Sequence, residues 1–200
     1  MLSVIAKMLL RTHWESLRAD ALALSGGLSG QAEKLNCEMI HKTLVVAEDR
    51  RFYDHGGIDT KAMLRALFLF AIRREIQGAS TITQQLVRVL TKRYERTARR
   101  KIREILLATL LDKEISKDEQ IACYLDIAYF GWRMNGLRQA LLRQGFTLPL
   151  KLSEASQIIA RLKYPEPQFA SPSLMQKIAA RANHIEYLVA CCEESTHEIT

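Results

Sequence analysis

The stretch from Thr97 to Gly131, TARRKIREILLATLLDKEISKDEQIACYLDIAYFG, decides the class of the fold. It holds no proline and no glycine before its last residue, and its apolar side chains return at three- and four-residue spacing, which predicts helices over about 97–112 and 116–129. Ser116, followed three positions on by Glu119, is a capping-box start for the second helix, and Gly131 is its stop. Outward from this stretch, the same periodicity predicts helices over about 31–47, 59–75, 80–94, 132–143, 152–162 and 172–190. An amphipathic helix over 3–24 is either packed on the domain or laid on a membrane surface. Strand-like alternation is scarce and no repeat is present, so the class is mainly α. Gly26, Gly27 and Gly30 among serines make a flexible joint, which separates residues 1–30 from a single domain over 31–200.

Composition narrows the function. A chain of 200 residues with 48% apolar and 26% charged side chains excludes disorder, collagen and a disulfide-built miniprotein. Its 29 Lys+Arg against 22 Asp+Glu give a formal +7, favouring an anionic partner such as phosphate, nucleic acid or an acidic membrane face. Cys37, Cys123, Cys191 and Cys192 lack CxxC spacing and read as thiols, not as a metal site. No run of about 20 apolar residues offers a transmembrane anchor. Glu15, Arg18 and Asp20 stand where a signal peptide needs its apolar run.

Three constellations carry chemistry. Residues 48–57 read EDRRFYDHGG: two arginines, two aromatics, a histidine and several acids, closed by paired glycines. Glu48 follows the apolar run Leu44-Val45-Val46-Ala47 and so stands at the end of a buried element, a position suited to a general base. Residues 78–85 read GASTITQQ, a small-residue turn followed by hydroxyls that cap a helix and can present N–H groups to an anion. Ser80, Gln84 and Arg88 continue this as a polar face. From Arg88 to Arg103 there are eight cations, Arg88, Lys92, Arg93, Arg96, Arg99, Arg100, Lys101 and Arg103, against Glu95 alone. On a continuous helix Arg96, Arg100 and Arg103 share one face with Glu104 beside it, a placement suited to binding a polyanion and handling a proton. Between these stretches, Ala62 to Ile76 is apolar around nearly its whole helical circumference. It is either fully buried or a lipid-contacting patch edged by Arg65, Arg73 and Arg74.

In order and spacing, these stretches resemble the glycosyltransferase domain of peptidoglycan polymerases, found in bifunctional penicillin-binding proteins and in short monofunctional enzymes. EDRRFYDHGGID from Glu48, QGASTITQQLVR from Gln77 and RKIREILLATLLDKEISKDEQ from Arg100 resemble the first three family motifs. IACYLDIAYFG from Ile121 resembles the fourth, and LSEASQIIARLKYPEP from Leu152 more loosely the fifth. The likeness runs from about Leu44 to Pro167 and, less clearly, to Leu188. With no transpeptidase domain following, the chain is similar to the monofunctional type.

The resemblance implies a mainly α, lysozyme-like domain with a small hydrophobic jaw, at about 56–77, that dips into the membrane. It implies polymerisation of lipid II: an acceptor 4-hydroxyl attacks the anomeric carbon of the growing glycan strand and expels undecaprenyl diphosphate with inversion. By position, Glu48 is the base, and Glu104 is the second glutamate, which orients cations, assists the leaving group or holds a divalent ion, magnesium or manganese. No other cofactor is implied. Asp49, Arg51, Phe52, Ser80, Thr81, Gln84, Gln85, Arg88, Arg96, Arg100, Lys101, Arg103 and Asp126 are the substrate-binding candidates. The implied partners are lipid II, the glycan strand, the membrane surface, and cell-wall synthesis or secretion-apparatus proteins, with no nucleic acid. The implied location is the periplasmic face of the bacterial inner membrane.

The sequence departs from the family pattern at several places. Tyr124-Leu125-Asp126 stands where the family has Tyr-Leu-Asn, and Trp132-Arg133-Met134-Asn135 replaces a glycine-rich stretch. His55 is followed by glycine where a second histidine is commoner, and Leu162-Lys163-Tyr164 precedes the prolines of the fifth motif. Three rival readings remain: an inactive homologue serving as a scaffold, a lysozyme-like hydrolase, and a helix-turn-helix nucleic-acid binder built on 78–90 and the basic run.

Overall fold

A computed structural model describes residues 7–8, 10–29, 37–74 and 78–197. The expected helix starts at 3 and 31, the end of the jaw at 75–77, and Gly30 lie outside the described residues. The elements run α1 (Arg11–Ser29), α2 (Glu38–Glu48), a 3-10 turn (Phe52–Asp54), α3 (Thr60–Arg73), α4 (Ile82–Leu90), α5 (Ala98–Leu111) and α6 (Lys117–Ile127). A hairpin of β1 (Tyr129–Gly131) and β2 (Met134–Asn135) follows, then α7 (Leu137–Gln144), α8 (Leu152–Lys163) and α9 (Pro172–His197). The chain divides into two compact units, one of residues 1–30 and 51–124, the other of 31–50 and 125–200. Among the described residues, no helix is long and apolar enough to cross a membrane.

In the first unit the helices start where short polar side chains take up free backbone N–H groups. Asp59 accepts from the Ala62 N–H at 2.9 Å, Thr81 from that of Gln84 at 3.2 Å, and Thr97 from that of Arg100 at 3.2 Å. The capping box at α6 is present: Glu119 accepts from the Ser116 N–H at 2.8 Å, and the Ser116 hydroxyl oxygen faces the Glu119 N–H at 3.3 Å. Helix α1 packs on α4 and α5 through a single stripe, Trp14, Leu17, Ala21 and Ser25, all buried. The packed alternative for this helix is therefore the one observed. The expected joint at Gly26 and Gly27 is not: α1 continues through both to Ser29. Ser25 is anchored by donating to Glu119 at 2.5 Å, and Cβ atoms at either glycine would meet nothing within 4 Å among the described residues.

Gly57 shows why the turn after the first motif ends in glycine. Its φ is +82°, and a Cβ there would press into the backbone carbonyl of Ala108 on α5. The next helix, α3, has no buried residue. Leu64, Leu67, Phe68, Phe70 and Ile72 are 53–67% exposed, so the burial alternative for this apolar segment fails.

In the second unit α2, α8 and α9 pack on one another, and α7 packs on the hairpin. The expected helix over 132–143 begins only at Leu137. What precedes it is extended because Gly131, at φ +142°, lies so close to Glu166 that any Cβ would overlap its backbone. Glu166 donates its N–H to Phe130 O at 3.1 Å and accepts from Trp132 N–H at 2.7 Å. Arg161, 3% exposed, ties this edge down. It donates to the Glu166 carboxylate at 2.8 Å, to the Gln144 side chain at 2.9 Å and to Gln157 O at 2.7 Å.

Candidate active site

The first unit gathers three of the sequence-predicted cations around one buried acid. Glu104 lies on the inward face of α5 and is 3% exposed. Arg88, reaching from the end of α4, grips it with two parallel bonds, Nε to Oε2 at 2.9 Å and Nη2 to Oε1 at 3.1 Å. Lys101 Nζ bonds Oε1 at 2.7 Å, and Arg100 Nη1 bonds Oε2 from one turn earlier on the same helix. The helical offsets of three and four residues stack Arg100, Lys101 and Glu104 on one face. Lys101 also donates to Ser80 Oγ at 3.0 Å and to Gln84 Oε1. Gln84 is fully buried, and its Nε2 is a donor with no partner among the described residues, the sort of group an incoming oxygen satisfies.

The electrostatics follow from this crowding. Burial alone would raise the proton affinity of Glu104, but the hydrogen bonds from Arg88 and Lys101, with their charges, outweigh it and hold the carboxyl below its ordinary value. Arg88 is held more firmly protonated, chiefly by the bond to Glu104. Lys101 moves down despite the same ion pair, because burial leads and the Arg88 and Arg100 charges add to it. The result is an ionised acid that fixes three cations in place and has no proton to give. With both oxygens taken by cations, Glu104 does not fit a divalent ion as ligand. Among the described residues no group of His, Cys, Asp and Glu is arranged to hold a metal.

Other predicted residues are spread differently. Thr81 is buried at the N-cap of α4 and donates to Gly57 O at 2.7 Å, which ties the second motif to the turn of the first. Gln85 accepts from Tyr124 OH at 2.6 Å. Phe52 is wholly buried, edge-on to Tyr53 and His55 and under Lys117 Nζ at 4.4 Å. Arg51 pairs with Asp59 at 3.3 Å and Asp54 at 3.8 Å. Two readings of the basic run need correction. Arg96 precedes α5, which begins after the Thr97 cap, so it shares no helical face with Arg100 and Arg103. Arg103 is turned from the Glu104 face, and the charges that act on it are those of Arg93, Arg99 and Glu95, because one residue of rotation on a helix is about 100°.

In the second unit Glu48 is the last residue of α2, half-buried as its position after an apolar run predicts. Arg181, on α9, donates from Nη2 to Ala47 O at 3.0 Å and to Glu48 Oε1 at 3.4 Å. Sequence reasoning did not find Arg181, since nothing in its surroundings sets it apart from other helical arginines 133 residues away from a glutamate. Asp49, 8% exposed, caps α2. Asp126 is exposed on the last turn of α6, and its carbonyl lies against Gly136, where a Cβ could not fit.

A family model described as Transglycosylase matches residues 31–188. Penicillin-binding protein 1A of Escherichia coli (strain K12) is 37% identical over 149 residues, 73% of this chain and 17% of that protein. The monofunctional glycosyltransferase of Staphylococcus aureus (strain JH9) is 39% identical over 94 residues, 47% of this chain and 35% of its own length. Penicillin-binding protein 1F of Bacillus subtilis (strain 168) is 35% identical over 104 residues, 52% of this chain and 15% of that protein. The chain thus spans about a third or less of the length of each of these relatives.

Proposed function

Given that this chain belongs to the transglycosylase family, we propose that it is a peptidoglycan glycosyltransferase that polymerises lipid II into glycan strands. The acceptor 4-hydroxyl attacks the anomeric carbon, the bond to the diphosphate breaks with inversion, and undecaprenyl diphosphate leaves. The observation that carries this reading is the Glu104 cluster: three cations and the buried amide of Gln84, fixed before any ligand arrives. Departure of a diphosphate builds negative charge, and cations already in place stabilise it without reorganising. Arg88, Arg100 and Lys101 fill that role, with Ser80 and Gln84 orienting Lys101. Glu104 keeps them spaced and acts as no acid.

Glu48 is the proposed base that takes the acceptor hydroxyl proton, worth on the order of 10²–10⁴-fold in rate. Arg181, bonded to both Glu48 and the α2 terminus, orients that carboxylate. Arg96, exposed before α5, and Asp49, Gln85, Arg103 and Asp126 are proposed at the periphery of substrate contact, while Arg51, Phe52 and Thr81 shape the turn of the first motif. A membrane-dipping jaw, within the proposed lysozyme-like domain, is supported by α3, which leaves Leu64, Leu67, Phe68, Phe70 and Ile72 exposed beside Arg65 and Arg73. Partial burial of five such side chains in a headgroup layer is worth about 1–2 kcal/mol each. The proposed location is peripheral, on the periplasmic face of the inner membrane.

The test is incubation of the purified protein with labelled lipid II in detergent, the products being resolved on a gel. Polymer from the wild type and none from Glu48→Gln, with lipid II binding retained, is the expected result. Equal polymerisation by Glu48→Gln removes Glu48 as base. No polymer from either, with binding intact, replaces the enzyme by a scaffold.

A further inference from the structure

The proposed base stands at the open end of a helix. Glu48 is the last residue of α2, and the closing carbonyls of a helix have no partner within it. Arg181 supplies one from a distant part of the chain. Its Nη2 donates to Ala47 O at 3.0 Å and to Glu48 Oε1 at 3.4 Å, so a single nitrogen ties the carboxylate to the main chain that carries it. A cation at this end also suits the negative pole of the α2 dipole. The backbone of Arg181 is fixed by its neighbours on α9: Ile178, Ala182 and Ile185, at helical spacing around it, are all buried, and α9 packs on α2. Ala47, Glu48 and Arg181 all belong to the second unit.

Another arginine of the same unit shows how a structural guanidinium is bound. Arg161 uses all three nitrogens, Nε on Glu166, Nη1 on Gln157 O and Nη2 on the Gln144 side chain. Arg181 uses one. Among the described residues its Nη1 has no hydrogen-bond partner, and its Nε is a buried donor with none, a group that carries its desolvation cost until an acceptor arrives. The side chain keeps 17% of its surface exposed, so the fork is not sealed in. We propose, on the reading of Glu48 as base, that Arg181 binds the acceptor: while Nη2 holds the Glu48 carboxylate, the remaining N–H groups donate to an oxygen of the acceptor sugar. A guanidinium donates and never accepts, which fits a hydroxyl or amide carbonyl beside the attacking 4-hydroxyl. The proton of that hydroxyl passes to Glu48 as its oxygen bonds the anomeric carbon, and the diphosphate leaves with the electron pair of the broken bond. One rigid, planar group thus holds the base and the nucleophile in register for the transfer.

The experiment measures kcat and KM for lipid II polymerisation by the full chain, as wild type, Arg181→Lys, Arg181→Gln and Glu48→Gln, with the urea midpoint of each followed by circular dichroism. Arg181→Lys keeps a cation at the end of α2 and loses the planar fork. It is expected to hold the wild-type urea midpoint while KM rises about tenfold, the loss of one charge-assisted hydrogen bond to the acceptor. Arg181→Gln also releases the carboxylate, and its kcat falls on the order of 10²-fold. Wild-type kinetics in Arg181→Lys, or losses in both Arg181 variants no larger than their unfolded fractions, overturn the proposal. A fall in kcat with KM unchanged in both overturns the acceptor contact and leaves Arg181 to orient Glu48 alone. An inactive Glu48→Gln beside a fully active Arg181→Gln overturns this inference and spares the base. A near-normal rate in Glu48→Gln, or no polymer from the wild type, overturns the reading of Glu48 as base and this inference with it.

Discussion

Replacing Glu104 by glutamine keeps the shape of the side chain and removes the one charge that holds three cations together. At about 3 Å and an effective dielectric of about 20, each cation attracts the carboxylate by roughly 5 kcal/mol, much of which offsets the cost of burying the charge. Breaking such a pair at a buried position leaves unbalanced cations and costs about 3–5 kcal/mol, a large part of the roughly 5–15 kcal/mol that holds a domain folded. Trp14, 6% exposed in α1, reports unfolding of the first unit once Trp132, the other tryptophan, is changed to phenylalanine. In that background Glu104→Gln lowers the urea midpoint by about 1–2 M, for a slope of about 2–3 kcal/mol per molar. The pH dependence supplies a second check. The folded carboxyl lies below the ordinary 4.5, so its contribution is complete above that value and is lost as pH falls through the folded one. Glu104→Gln removes this component of the acid slope. A stability within about 1 kcal/mol of the wild type's, or an unchanged acid slope, refutes the assignment of Glu104 as the charge that organises the cluster.

Gly57→Ala forces a Cβ against the Ala108 carbonyl at a left-handed φ and lowers the stability of the first unit by about 3 kcal/mol, read from a Trp14-monitored melt. Tyr53 is pushed up to about 12 by burial, by its hydrogen bond to Asp118 and by that carboxylate's charge. It therefore ionises well above the ordinary tyrosine value of 10.0 in a near-ultraviolet titration, and Asp118→Asn brings it forward; titration of Tyr53 near 10.0 would count against the bond. Leu64→Asp/Phe68→Asp, at positions 67% and 62% exposed, leaves folding stability within about 0.5 kcal/mol and weakens cosedimentation with lipid vesicles at least about tenfold. Undiminished cosedimentation would exclude α3 as the membrane contact.

Much of the local architecture is legible in the residues themselves. The capping box at Ser116 and Glu119 and the hydroxyl starts of α4 and α5 act within three or four positions, so the chain needs no tertiary partner to express them. The stacking of Arg100, Lys101 and Glu104 has the same origin, the rise and turn of one helix. The stretch after Gly131 misleads for the opposite reason: its helical pattern is overridden by Glu166, which lies 35 residues on and pairs with it as a strand would. Gly26 and Gly27 mislead likewise, because the buried stripe of α1 and the bond from Ser25 to Glu119 outweigh the weak helix propensity of two glycines.

Sequence by itself thus determined the mainly α class, the family, the capped starts of α4, α5 and α6, and the segment from which the cations around Glu104 come. Tertiary structure alone decided that Arg88 joins Arg100 and Lys101 at Glu104. A run of eight positive charges on one segment carries no mark of its division; the division arises because successive residues on α5 point about 100° apart, so that α4 supplies Arg88 to the Glu104 face while Arg103 is turned from it. It also set Arg181 beside Glu48, a contact across 133 residues that depends on how α9 crosses α2 and that no local pattern encodes.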